Sequence, residues 1–78
     1  MTPLAQFGAA CSEWGLLVPR RFDLATAREW AERWDAISVA LFAEAERMDR
    51  EGLFSEHHRD RANVAEDFAC ASLPRWAR

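Results

Sequence analysis

The sequence predicts a small all-α domain, a three-helix bundle arranged around one long central helix. The first reason is that no glycine or proline interrupts the chain from Leu24 to Glu51, where most residues are good helix formers. The second is that apolar residues on both sides of this segment recur at intervals of three and four, which is the helical period. The third is that no two alternating runs bounded by turn residues predict a β-hairpin.

The N-terminal segment predicts a helix over about residues 3–14. Thr2 can accept a hydrogen bond at the helix start, and Pro3 suits the first helical position because its missing N–H would have no helical partner there. Gly15 is expected to end the helix in a left-handed conformation, and Pro19 makes residues 15–22 an extended connector. A single apolar stripe follows the helical period and consists of Leu4, Phe7, Cys11 and Trp14.

The central segment predicts a helix over about residues 23–51, with Asp23 as its N-cap and Gly52 as its stop. One sector of about 60° on a helical wheel is apolar and is expected to face the core. It contains Trp30, Trp34, Ile37, Leu41 and Met48. Two pairs have the favourable i, i+4 order for ion pairs. They are Glu29 with Arg33 and Glu46 with Arg50. The sequence leaves open whether this helix breaks near Ser38.

The C-terminal segment predicts a third helix over about residues 55–72. Ser55 is expected to cap its start, and Pro74 ends it because proline cannot continue a helix. Its apolar face is predicted to consist of Val64, Ala65, Phe68 and Ala71. The three helices are expected to form one domain over residues 1–78, since a chain of this length supports a single core.

Composition and charge exclude several classes of protein. The net charge is −3, and the ten cationic residues, all arginine, are spread along the chain. No segment therefore has the basic character of a nucleic-acid binder, and nucleic acid is not the expected partner. No apolar run is long enough to cross a membrane, and no signal peptide is visible at the start. The two cysteines, Cys11 and Cys70, are expected to be a reduced pair in a cytoplasmic protein.

No motif for catalysis or metal binding is found. His57 and His58 are adjacent, so on a helix they point about 100° apart and do not suit one metal ion. Ser12 has Glu13 beside it, but neighbouring residues on a helix also diverge, so the pair does not form a nucleophile and base. The chain has no glycine-rich phosphate loop. We therefore expect no enzyme activity, no metal and no cofactor.

Two features predict a surface for a protein partner. The segment 36–43 has no charged residue on any face, and a helix that is apolar all round is normally covered. Two short helices are too small to cover it fully, so the rest is expected to be covered by a second copy of the chain, by a different protein, or by the 15–22 connector folded over it. The predicted contact residues here are Ala36, Val39, Ala40, Phe42 and Ala43. The tail after Pro74 carries a tryptophan between arginines, residue types that dominate binding hot spots. The predicted contact residues there are Arg75, Trp76 and Arg78, although the tail could instead fold back on the bundle.

These observations predict a non-enzymatic protein-interaction module, either a small accessory or regulatory subunit or an inhibitor that docks on a larger complex. One version is a phage or mobile-element effector against a host defence complex, an inference from size class alone. The first alternative is a self-assembling homodimer that closes over Val39 and Phe42. The second is a helix-turn-helix-like DNA-binding regulator. Its base-reading residues would be Arg59, Arg61 and Asn63, although acidic residues of the same helix oppose it.

Overall fold

A computed structural model of the chain describes residues 1–17 and 23–73. The described residues form three helices in the order α1 (Pro3–Leu17), α2 (Leu24–Arg50) and α3 (Glu56–Ser72), with no strand among them. The predicted fold class is confirmed, and α2 is the predicted long central helix. It continues through Ser38 without a break. At 27 residues it is about 40 Å long.

The starts of α1 and α2 follow from side-chain caps. The hydroxyl of Thr2 accepts a hydrogen bond from the backbone N–H of Ala5 at 3.2 Å. The carboxylate of Asp23 accepts one from the N–H of Thr26 at 2.9 Å, and this bond holds the pKa of Asp23 below its ordinary value. Each cap satisfies an N–H that has no partner within its helix. The sequence therefore located both starts correctly.

The end of α1 differs from its prediction, whereas the end of α2 agrees. Helix α1 passes through Gly15 and ends at Leu17. Glycine permits a left-handed residue without requiring one, and the leucines that follow it are good helix formers. Gly52 does adopt the left-handed conformation, with a φ of 74°. The N–H of Leu53 then bonds to the carbonyl of Met48 at 2.8 Å, which closes the end of α2.

Helices α2 and α3 form an antiparallel hairpin with a close approach between them. The hydroxyl of Ser38 donates a buried hydrogen bond to the backbone carbonyl of Ala62 at 3.0 Å. Ala45, Ala62 and Ala65 are buried at this contact and leave room for the two backbones. The predicted apolar face of α3 is partly wrong, since Ala71 is exposed. The helix instead turns Ala62 inward because small residues fit this close contact.

An aromatic cluster joins all three helices beside the first half of α2. Trp34 is completely buried, and its ring centroid lies 4.9 Å from that of Phe68 on α3 and 5.7 Å from that of Phe7 on α1. Trp14 of α1 packs edge-on against Trp30, with 5.3 Å between centroids. Helix α1 thus covers the first half of α2, as the stripe on α1 predicts.

The ion pairs predicted along α2 are wrong. Arg33 pairs with Glu13 of α1 instead of Glu29, and its guanidinium lies 4.7 Å from the centre of the Trp30 ring. An exposed i, i+4 pair contributes only a few tenths of a kcal/mol, so a tertiary contact can displace it. Within the described part of the chain, Glu46 and Arg50 have no ion-pair partner.

Arg47 makes the ion pairs that α2 does contain near its C-terminal end. Its guanidinium bonds to Glu44 and, at 2.6 Å, to Glu51. Hydrogen bonds from Arg47 lower the pKa of Glu44, and those to Glu44 and Glu51 raise the pKa of Arg47. These bonds place a cation in the last turn of α2, where the helix dipole favours positive charge.

Candidate protein-interaction surfaces

The outer face of α2 is the side of the helix that points away from α1 and α3. Its central residues are Ala36, Val39, Ala40 and Ala43, and we use the name outer face of α2 for this group and the charged residues at its two ends. Val39 is 61% exposed, Ala36 and Ala43 are exposed, and Ala40 is half-buried. No described residue of the chain covers Val39, which is the condition that the predicted partner surface requires.

Phe42 occupies a different position from the other predicted contact residues of segment 36–43. Its side chain is half-buried and packs against the hydrophobic core. The reason is its place on the wheel, about 60° from Val39 and toward α3. The predicted contact residues Arg75, Trp76 and Arg78 lie outside the described residues, as do positions 18–22 of the predicted connector.

A groove between α1 and α2 borders the outer face of α2. Its volume is about 350 Å³, and Ala36 belongs to its wall. Met1, at the rim of the groove, is 86% exposed. The remaining lining residues are Gln6, Ala9, Glu13, Arg33 and Ile37. Ala36 therefore joins the outer face of α2 to a groove of mixed apolar and charged lining that leads toward the N-terminal end of α1.

The turn between α2 and α3 exposes two large apolar side chains that the sequence reasoning missed. Phe54 is 75% exposed and Leu53 is 51% exposed. They are adjacent in the sequence and belong to no helix, so a helical wheel does not assign them to any apolar face. The signal that could have found them is simple: an apolar pair directly after the glycine stop, outside every predicted apolar stripe.

Several bonds hold this turn in place. The left-handed Gly52 fixes the direction of the chain after α2. The carboxylate of Asp49 then accepts hydrogen bonds from the hydroxyl of Ser55 and from the guanidinium of Arg59. The Ser55 hydroxyl makes this bond instead of the predicted cap on α3. A shallow groove of about 450 Å³ lies beside Phe54 and is lined in part by these polar residues.

The charge of Asp49 is expected to stabilise the turn in a pH-dependent way. Hydrogen bonds from Ser55 and Arg59 hold the pKa of Asp49 below its ordinary value. A carboxyl group whose pKa is lower in the folded state stabilises fully above its unfolded pKa of about 3.9, and this contribution is lost as the pH falls through the folded pKa. Asp49→Asn should therefore lower the urea midpoint at pH 7, and its difference from the natural chain should shrink below about pH 4.

The matched control for this variant is Asp60→Asn. Asp60 is exposed on α3 and makes no hydrogen bond or ion pair with the described residues. The urea midpoint of Asp60→Asn should equal that of the natural chain at every pH. If Asp49→Asn lowers the urea midpoint by as much at pH 3 as at pH 7, the turn depends on the shape of the Asp49 side chain and not on its charge.

Within residues 1–17 and 23–73, the histidine and cysteine side chains lie at separate places. His57 is exposed and His58 is half-buried. Cys11 is half-buried on α1, and burial raises its pKa, with Arg61 acting in the opposite direction. Cys70 is an exposed free thiol on α3. In the described ranges, no three side chains of the metal-binding types are close enough to hold an ion.

A third groove lies between α2 and α3, beside the exposed Cys70. Its volume is about 330 Å³ and its surface is mostly apolar. Glu32 and Asp35 form its acidic edge, and Leu73 closes it at the end of α3. It contains no buried polar group that would orient a small molecule.

Comparison of the chain with family models, curated proteins and solved structures found no match. Of the three described helices, none has both the length and the apolar character needed to cross a lipid bilayer.

Proposed function

We propose that this chain is a non-enzymatic protein-interaction module, a small accessory or regulatory subunit or an inhibitor, that docks on a larger protein through the turn between α2 and α3. The observation that carries the proposal is the exposure of Phe54. This side chain is 75% exposed in the turn between α2 and α3, which several hydrogen bonds hold in place. Burying such a side chain against a partner would contribute about 2–3 kcal/mol of transfer free energy.

The bracing of the turn supports this role because a rigid contact loses little conformational entropy on binding. Gly52 and the Asp49 bonds hold the backbone around Leu53 and Phe54 before any partner arrives. The groove beside Phe54 has an apolar wall and a polar edge, as the centre and rim of protein interfaces do. The proposed contact is therefore a pair of apolar anchors with a polar rim.

Two observations weigh against the DNA-binding alternative. Arg59, one of its base-reading residues, is already engaged by Asp49 at the start of α3. Glu56 and Asp60 are exposed on the same first turns of that helix and would face the phosphates.

Site-specific photocrosslinking in the native host tests the proposal. A photoreactive phenylalanine analogue is placed at position 54, at position 39 and at position 66, which is exposed on α3. Position 54 is expected to give a crosslink to one larger protein that position 66 does not give. With that protein purified, Phe54→Ala should weaken binding about 30-fold, the size of a hot-spot loss of about 2 kcal/mol.

The control for that measurement is Met1→Ala, since Met1 is also a highly exposed apolar residue but lies beside α1, far from the turn. It should bind like the natural chain, and far-ultraviolet circular dichroism should be the same for all three proteins. A partner that binds Phe54→Ala with unchanged affinity would contradict docking through the turn. The same crosslinked products from positions 54 and 66 would contradict it as well.

A further inference from the structure

Charged residues flank the apolar centre of the outer face of α2 in a pattern that reverses at most positions from one end to the other. Before the centre, the chain has Arg28, Glu29, Glu32 and Arg33, followed by Asp35. After the centre it has Glu44, then Glu46, Arg47, Asp49, Arg50 and Glu51. Positions 28, 29, 32 and 33 each have an opposite charge at the same distance beyond the point between Val39 and Ala40. Asp35 has the acidic Glu44 at the matching position.

This pattern is complementary to itself when a second α2 runs in the opposite direction. With the two helices crossing between Val39 and Ala40, four charges before the centre stand at the level of an opposite charge of the other copy, whereas Asp35 stands at the level of the acidic Glu44. The facing positions are Arg28 and Glu51, Glu29 and Arg50, Glu32 and Arg47, and Arg33 and Glu46. A parallel pair in register would place each charge near its own copy, which is repulsive. Four opposite pairs against one like pair therefore favour the antiparallel direction and this register.

We infer that the partner of the outer face of α2 is a second copy of this chain, packed antiparallel against the first across a two-fold axis near Val39. The inference rests on the proposed function in naming a partner for a protein-interaction module, but it uses a surface separate from the Phe54 turn. A two-fold interface brings the same patch of both copies together, so self-complementary charge is what it requires.

The geometry of the monomer leaves this contact open. Ile37, Leu41 and Ala45 are buried on the core side of α2, so the outer face points away from both other helices. The alanines on the outer face allow a close approach of two helix backbones, and the exposed Val39 supplies apolar area at the centre.

The charges that would form the contact are mostly free within one copy. Arg28, Glu29, Glu32, Glu46 and Arg50 are exposed, and none has an ion-pair partner among the described residues. Glu29 and Arg50 are therefore free on both sides of the contact. Arg28, Glu32 and Glu46 would meet Glu51, Arg47 and Arg33, which already have an ion-pair partner in their own chain. The outer face thus combines apolar area, an open approach and free complementary charges.

Charge reversal combined with sedimentation equilibrium tests the inference. The natural chain should form a dimer. Glu29→Arg alone and Arg50→Glu alone each place like charges opposite one another twice per dimer, so each should weaken dimerisation about tenfold or more. The double variant Glu29→Arg with Arg50→Glu restores opposite charges within one chain and should recover dimerisation. Mixing the two single variants should give a heterodimer, since each chain then faces the opposite charge.

The control is Glu66→Arg, which makes the same change of charge on the exposed side of α3. It should dimerise like the natural chain, and Val39→Glu should be monomeric with unchanged helical content. A natural chain that is monomeric at all accessible concentrations would overturn the inference, as would a double variant no better than the single ones. Crosslinking at position 54 is a separate measurement. A chain that is monomeric but still crosslinks to a larger protein at position 54 would overturn this inference and leave the proposed function unaffected.

Discussion

Trp34→Ala is expected to lower the free energy of unfolding by about 3–5 kcal/mol, the largest effect of any substitution we consider. Trp34 is completely buried and contacts aromatic rings of both other helices. Its removal would leave a cavity where α1, α2 and α3 meet. A single core in a domain of fewer than about 80 residues rarely supplies more than about 3–5 kcal/mol of stability, so this variant should be close to unfolded at room temperature. Urea denaturation followed by circular dichroism measures the loss.

Trp34→Phe is the informative companion variant. It retains a ring in the cluster and removes the indole N–H, which is buried without an acceptor among the described residues. It should therefore cost much less than Trp34→Ala. Glu66→Ala is the surface control, since Glu66 is exposed on α3, and it should change stability by less than about 0.5 kcal/mol. Equal losses for Trp34→Ala and Glu66→Ala would contradict the assignment of the core.

Ala62→Leu is expected to have the second largest effect, a loss of about 2–4 kcal/mol. Ala62 is completely buried where α3 contacts α2. A larger side chain would force the hairpin apart, which costs about 1–3 kcal/mol. It would also strain the hydrogen bond between the Ser38 hydroxyl and the Ala62 carbonyl, a bond worth about 1 kcal/mol. Thermal or urea denaturation of the purified variant provides the measurement.

Ala71→Leu is the matched control because it makes the same substitution in the same helix at an exposed position. It should leave the stability almost unchanged. Should Ala62→Leu prove as stable as Ala71→Leu, the close contact between α2 and α3 would be absent in solution.

The sequence predicted features that depend on neighbouring residues. Asp23 caps α2, and Gly52 ends it, because each acts within one turn of its own position. The prediction that Gly15 ends α1 is wrong because glycine allows a turn but does not enforce one. The ion pair of Arg33 with Glu13 depends on how α1 packs on α2, and no local rule contains that information.

The candidate surfaces likewise include residues whose exposure follows from the sequence and residues whose exposure depends on the tertiary structure. A helical wheel was sufficient to place Val39 opposite the core, since direction along one helix follows from its period. Phe42, which lies only about 60° further round the wheel, turns out to contact the core because of where α3 lies. The exposure of Phe54 depends on a turn outside every helix, so no periodicity could reveal it.

The position of the Phe54 turn at the very end of α2 has a consequence for valency. In an antiparallel pair, the two turns would lie at opposite ends of the joined helices. Each is about 20 Å from the two-fold axis along α2, so the two would be about 40 Å apart. Such a pair would engage two sites on one assembly only if those sites matched this spacing, and it would then gain avidity from simultaneous binding. The length of α2 would thus determine the distance between two target sites that the protein can bridge.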